Sequence, residues 1–397
     1  MNYYSMNNPQ LKILIIHTHY QYQGGEDTVV LQEMELLKQF NTVEVLSFQN
    51  QGGWKGAIQF LMSIWNLRVA NKVKKKIQDF KPDIVHVHNW HFATGPILFR
   101  LIKKYNIPLV HTVHNYRLVC PSAILYDKGK LFTKSLDQSF PWNAVSNSVY
   151  RNSMVQTFWI SFIVWFHKKI NTWKKIDLYL CLTPFSIAIF QKSNFGVSED
   201  KFVVKPNFTQ NLSIPKLVER EKHFLFIGRL SEEKGIETVI NAFKNLPFVL
   251  KIAGDGPLKA LVEKTTKESS NIFYLGNLDK ETVGKEMMKA QALIFPSVWY
   301  EGMPMTILEA FSRSTPIIAS DLGAMTTMIS NGYNGFLFES GNVNDLKYCV
   351  KKFDALTWNV KEQMGLNSFE KYESNYSPKL QKDYFNSIYK KVIKQNE

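Results

Sequence analysis

The chain is poor in cysteine, with three in 397 residues. Cys120, Cys181 and Cys349 are scattered, odd in number and form no Cys-x-x-Cys pair. That excludes a zinc ribbon and a disulfide framework, and it fits a reducing compartment such as the cytosol. Long apolar runs are lacking too. The longest, Phe158 to Phe166, falls well short of the roughly 20 residues that a bilayer-spanning helix needs. The opening residues, Met1 to Gln10, are polar and hold no apolar core of a signal peptide. No internal repeat and no low-complexity tract occurs, which excludes solenoids and fibrous arrays. Neither a Gly-x-Gly-x-x-Gly turn nor a Lys-bearing triphosphate loop is present. No Asp-x-Asp pair offers two carboxylates to a divalent metal, so no metal and no cofactor is expected.

What is present is a basic first half. Residues 1–205 carry a net +12 of the chain's +14, leaving the rest nearly neutral. Such an asymmetry points to an anionic partner for the first half: lipid headgroups, nucleic acid or an acidic acceptor. The length suffices for two domains with full cores. The stretch Lys205-Pro206-Asn207-Phe208, with the polar residues after it, reads as the link between them.

Strand and helix alternate, which predicts an α/β fold with open parallel sheets. Leu11 to Ile16 forms the first buried strand, and Gly24-Gly25-Glu26-Asp27 turns it into a helix. A Gly-Gly turn lets backbone approach a ligand closely in front of helix N–H groups. A long helix is expected over 56–79. The strands Asp83–His88 and Pro108–His114 each deliver a histidine to their carboxyl ends, where ligands bind in such sheets. His88 and His114 are therefore site candidates, while His86 and His111 should point into the layers. Residues 115–140 read as an irregular lid or binding segment. A long helical region follows with Trp142, Phe158, Trp159, Phe162, Trp165, Phe166 and Trp173, ending in Lys168, Lys169, Lys174 and Lys175. With Trp54 to Lys76, it has the aromatic and basic mixture of a membrane-surface element.

The second half opens on the strand His223 to Ile227, followed by Gly228-Arg229-Leu230-Ser231-Glu232-Glu233-Lys234-Gly235. Arg229 and Lys234 stand where a strand-end crevice can hold a diphosphate. Gly254-Asp255-Gly256-Pro257 is a tight turn. The organising stretch runs from Trp299 to Ala310. Strand 292–295 ends, a polar turn carries Glu301 and Gly302, and a helix opens near Pro304 with Glu309 more than a turn inside. The helix mouth suits hydroxyls or phosphates, and the two carboxylates suit the ends of an elongated ligand.

In this order, Gly24-Gly25, His114, Gly228-Arg229-Leu230-x-x-x-Lys234-Gly235, Gly254-Asp255-Gly256-Pro257 and Glu301-Gly302-x-Pro304-x4-Glu309-Ala310 resemble the retaining glycosyltransferases of family 4. The resemblance implies the GT-B fold, two Rossmann-like domains facing across a cleft. Here these would be residues 1–205, binding the acceptor, and 206–374, binding the donor, with a final helix at about 375–397 crossing back. It implies that Arg229 and Lys234 hold the diphosphate of a nucleotide-diphosphate sugar. Glu301 would contact the sugar and Glu309 the ribose, with Gly228, Gly254 and the amides of Gly302 and Met303 assisting. His114 would lie by the transferred sugar, and Gly24 and Gly25 would face phosphate and acceptor. The family's usual aromatic-Gly is Met303-Pro304 here, which removes one amide donor. Asn115-Tyr116-Arg117-x-x-Cys120-Pro121 resembles a subgroup that makes bacterial surface polysaccharides, so Asn115, Tyr116 and Arg117 join His88 as acceptor candidates. The implied reaction is front-face transfer of a hexose, without metal, to a saccharide or lipid-linked saccharide on an anionic membrane surface, the inner face of the plasma membrane. A GT-B epimerase, a nucleic-acid-binding protein and an idle scaffold are the alternatives. No nucleic-acid-binding module appears, so no nucleic acid is expected.

Overall fold

The computed structural model describes residues 10–21, 24–210 and 220–397. The first sheet comprises β1 (Lys12–His19), β2 (Thr42–Gln49), β3 (Ile84–Val87) and β4 (Leu109–Val113). A two-stranded hairpin, β5 (Tyr126–Asp127) and β6 (Lys130–Leu131), interrupts it before β7 (Leu178–Cys181) and β8 (Phe202–Val204) complete it. All its pairs are parallel, in the order β2-β1-β3-β4-β7-β8. Alternation along β1 builds two layers. Leu14 and Ile16 pack with Val69, Val73 and Ile77 of helix Leu67–Phe80. Ile13 and Ile15 face the other way, toward Val30 and Leu37 of helix Gly25–Lys38. Burial of each such side chain contributes about 1.5–3 kcal/mol. The layer on that side is completed by Phe385, Tyr389 and Val392 of the C-terminal helix, Pro378–Lys394.

The second sheet holds β9 (Glu221–Ile227), β10 (Val249–Ala253), β11 (Ile272–Gly276), β12 (Ala290–Phe295), β13 (Ile317–Ser320) and β14 (Gly335–Phe338). It is parallel, in the order β11-β10-β9-β12-β13-β14. Phe224 and Phe226 point to one core, with Val239 and Phe243. Leu225 points to the other, with Ile307, Leu308 and Phe311. In both sheets the strand order reverses beside the first strand, at β1 against β3 and at β9 against β12. A crevice opens beyond the carboxyl ends of strands at such reversals. Here both crevices line one cleft.

Two sequence expectations change, and a third cannot be placed. The helix expected over 56–79 is two, Gly53–Met62 and Leu67–Phe80. Asn66 caps the second, accepting from Val69 N at 3.2 Å and donating to Ala93 O at 2.9 Å. The aromatic region is likewise broken, into Trp142–Ser146, Met154–Lys169 and a 3-10 turn at Trp173–Lys175. Arg151 and Asn152 take positive φ before Ser153 caps the main helix. The polar stretch assigned to the interdomain link falls largely at 211–219, outside the described residues.

Candidate active site

A cleft of about 760 Å³ runs between the two sheets. On the second-sheet side, β9 ends at Ile227, and Gly228 and Arg229 line the wall, with Arg229 exposed. Lys234 reaches the same wall because Gly235 lets the chain pass against β12. Its φ is +70°, and a Cβ there would meet the Pro296 carbonyl oxygen at 2.0 Å. Lys234 Nζ donates to Glu301 Oε1 at 2.6 Å and stands 5.0 Å from the Trp299 ring centroid. Ser297 Oγ and Trp299 Nε1 donate to the same oxygen at 2.6 and 2.8 Å. Three donors on Oε1 fix the Glu301 carboxylate and leave Oε2 for a ligand hydroxyl. Sequence spacing gave Lys234 and Glu301 separate tasks; the structure makes them one ion pair at the cleft wall.

Gly302 and Met303 also line the cleft. A Cβ on Gly302 would meet the His114 carbonyl oxygen at 2.8 Å, so glycine there lets the two walls touch. Met303 is buried, and its Sδ accepts from Asn207 N at 3.2 Å. Pro304 is the cap residue rather than the first helical one, and the helix is short, Met305–Phe311. Among the described residues the cavity lining on this helix stops at Thr306. Glu309 is set back, half-buried beside Arg313. Burial pushes its carboxyl up, against the opposing pull of Arg313 and Lys280. Gly254 is not on the cavity wall either. It packs beneath Gly228, where a Cβ would meet the Gly228 carbonyl oxygen at 1.9 Å.

The first-sheet side carries Gly24, Gly25, Glu26, His114, Asn115 and Arg117. A Cβ on Gly24 or Gly25 would meet nothing within 4 Å. Asn115 Oδ1 accepts from Arg117 N at 3.1 Å, and the guanidinium lies 5.4 Å from the Tyr150 ring centroid. Tyr116 turns away. It is buried in the first core, with its hydroxyl 3.4 Å from Ser186 Oγ. His88 is also withdrawn, lying behind His114 with its Nδ1 3.0 Å from His114 Nε2. Neither is on the wall of this cleft. Tyr116 follows the chain inward because its N–H closes a turn onto Ala123 O at 2.8 Å. The hairpin reaches across, with Tyr126 Oη donating to Glu232 Oε1 at 3.4 Å.

One cleft residue escaped the sequence reading. Glu26 reads in sequence as part of the Gly-Gly turn, yet it lines the cavity, with Oε1 lacking any hydrogen-bond partner among the described residues. Burial, then the charge of Asp27, pushes it up to about 8. Burial acts against Asp27 too, but hydrogen bonds from His17, the Gly24 N–H and His19 hold it below the ordinary value. The folded chain therefore keeps the Glu26 proton up to about pH 8, while the unfolded chain loses it near the ordinary carboxylate value. Folding binds a proton over that interval, so stability falls as pH rises through it. Glu26→Gln should remove this slope. In thermal melts the variant should gain about 1–3 kcal/mol on wild type between about pH 5 and 8. A pH-independent difference would show Glu26 ionised throughout.

With the geometry in view, the chain can be compared with known proteins. Residues 57–209 match the family described as Glycosyltransferase Family 4, and residues 207–367 match Glycosyl transferases group 1. An uncharacterised glycosyltransferase of Methanocaldococcus jannaschii is 26% identical over 353 residues, which is 85% of this chain and 86% of that one. A 42.6 kDa protein of the cps region of Klebsiella pneumoniae is 23% identical over 350 residues, 86% and 85% of the two chains. Among solved structures, HepE of Anabaena in complex with UDP superimposes with a TM-score of 0.66. It is 14% identical and covers 95% of this chain and 99% of that one. The fold is thus GT-B, two Rossmann-like domains across a cleft. The chain belongs to the family 4-like glycosyltransferases.

Proposed function

We propose that this glycosyltransferase moves a hexosyl group from a nucleotide-diphosphate sugar to a saccharide acceptor, with retention and without metal, in the assembly of a cell-surface polysaccharide. The observation that carries the reading is the constellation at the reversal of the second sheet. Arg229 and the Lys234–Glu301 pair stand at one wall and His114 at the other. The cations suit a diphosphate. The anchored carboxylate suits a sugar hydroxyl, and the polar groups of Glu26, Asn115 and Arg117 suit an acceptor. The bond from C1 to the phosphate oxygen breaks as the acceptor oxygen bonds C1 from the same face. The acceptor's proton passes to the departing phosphate oxygen. Fixed cations stabilise that developing charge without reorganising, the electrostatic route to a low barrier. Among the described residues two groups could hold a metal ion by their spacing, His17–His19–Asp27 and Glu33–His86–His88. In the first, both imidazoles hydrogen-bond Asp27 Oδ1, and His17 is wholly buried.

Support for the donor comes from HepE, which was solved with UDP, and for the setting from the Klebsiella relative of a cps region. The test is a panel of nucleotide sugars with the pure protein in excess EDTA. The expected result is slow hydrolysis of one donor, with the released sugar keeping the donor's anomeric configuration. An inverted sugar, or activity that appears only on adding a divalent ion, would overturn that part of the reading. Stabilisation by no nucleotide sugar at all would overturn the whole.

A further inference from the structure

Beneath His114 lies a line of buried polar side chains to which the reaction above gives no part. Lys205, just past β8, is hydrogen-bonded to Glu33 Oε1, and both side chains are wholly buried. The ammonium also lies 4.5 Å from the centroid of Phe385, on the C-terminal helix. Glu33 Oε2 stands 3.5 Å from His88 Nε2, and neither atom has a hydrogen-bond partner among the described residues. His88 Nδ1 lies 3.0 Å from His114 Nε2, and His114 lines the cleft. Residues of four separate elements thus form one line that ends at the His114 ring.

We propose that Lys205, Glu33 and His88 are positioning residues that set the tautomer of His114, so that it presents an unprotonated Nδ1 to a sugar hydroxyl in the cleft. The proton positions follow in sequence. Lys205 occupies Oε1, so Oε2 is an acceptor whether the pair is ammonium and carboxylate or shares its proton through Oε1. Lone pairs facing each other across a buried 3.5 Å gap repel, so His88 Nε2 carries the hydrogen that faces Oε2. A neutral imidazole has one N–H, which leaves His88 Nδ1 bare to accept from His114 Nε2–H. His114 Nδ1 is then bare as well. Burial, then the neighbouring imidazoles, holds His88 and His114 well below the ordinary histidine value, so both rings are neutral. His86 does not compete, because its nitrogens are engaged by Tyr389 Oη at 2.8 Å and Thr112 Oγ1 at 2.7 Å. The spacing of Glu33, His86 and His88 would admit a cation, but the Lys205 ammonium already occupies the carboxylate.

The catalytic use of this tautomer rests on the proposed glycosyl transfer; the tautomer itself does not. The test is therefore spectroscopic first. In the full chain labelled with 15N-histidine, His114 signals are assigned by their loss in His114→Gln. Wild type should show a protonated Nε2 and a bare Nδ1 at neutral pH. Glu33→Gln turns its amide oxygen to Lys205 and its NH2 to His88 Nε2, which inverts the line and puts the hydrogen on His114 Nδ1. Its turnover should fall by on the order of ten- to a hundredfold, with donor KM changed less, as an acceptor in the reacting complex becomes a donor. A protonated Nδ1 in wild type, a doubly protonated ring at neutral pH, or identical spectra in wild type and Glu33→Gln would overturn the relay. If Glu33→Gln does not fold, the wild-type spectrum alone decides. The expected spectra with no transfer to any sugar in wild type would overturn the functional reading and leave the relay standing.

Discussion

Lys234→Ala should lower turnover by on the order of a hundredfold or more, the usual cost of losing one preorganised charge donor at a developing oxyanion. The lysine is fixed at the cleft wall. Its ammonium lies 2.6 Å from Glu301 Oε1, on a side chain about a quarter exposed, at the turn that Gly235 presses against Pro296. Much of the cation's reach is spent on a wall residue, so under the proposed reading the exposed Arg229 would meet the diphosphate first. The variant should nonetheless fold, because Ser297 and Trp299 still donate to Glu301 Oε1. A stability loss of no more than about 1–2 kcal/mol is expected for a partly exposed pair with two donors remaining. Lys234→Arg should recover only part of the activity, since a planar fork cannot replace a point charge in that corner. Turnover within a fewfold of wild type in Lys234→Ala would remove the residue from the site and, with it, the main support for a diphosphate donor.

The fold class was legible because it depends on local repetition. Apolar strands of four to eight residues, alternating with helical patterns and in several cases joined to them by a glycine turn, specify a parallel sheet before any contact is known. Charge and motif spacing likewise led to Arg229, Lys234 and Glu301, all of which reach the cleft. Residues whose direction depends on tertiary packing were not legible. Tyr116 and Arg117 are neighbours in one motif, yet a turn closed onto Ala123 sends the first inward and leaves the second on the wall. Lys205 reads as the start of a polar linker, but it is wholly buried against Glu33, 172 residues away in the chain. No periodicity marks a pair of that kind. Glu26 was hidden by the glycines beside it. The break at Asn66 carried a usable signal, an asparagine at a helix start, but an uninterrupted apolar pattern outweighed it.

Vesicles containing anionic lipid should retain this protein at low salt, and vesicles of neutral lipid should not. The first domain has the surface for it. Trp142, Phe158, Phe162 and Phe166 form a ladder of ring contacts that runs on to Trp65. Trp54, Leu61, Trp142 and Val155 are each at least 60% exposed. Basic groups border this face: Lys169 lies 5.7 Å from the Trp165 ring centroid, and Lys168, Lys169 and Lys174 line one shallow cavity with Ser139. Trp173, counted in the aromatic stretch by sequence, is instead core, so insertion falls to Trp142 and the residues of helix Gly53–Met62. Among the described residues no helix is long and apolar enough to cross a membrane, so attachment of this kind would be peripheral. Each lysine near an anionic surface contributes about 1 kcal/mol, an attraction screened over roughly 8–10 Å. Lys168 counts for less, because its ammonium is bonded to Asn194. Changing Lys168, Lys169, Lys174 and Lys175 together to Gln should therefore weaken binding by on the order of a hundredfold, and raising salt several-fold should do the same to wild type. Trp142→Ala should weaken it further at every salt concentration, since apolar burial is not screened. Equal sedimentation with neutral and anionic vesicles, or with neither, would mean that this aromatic face is covered by something other than a charged lipid surface.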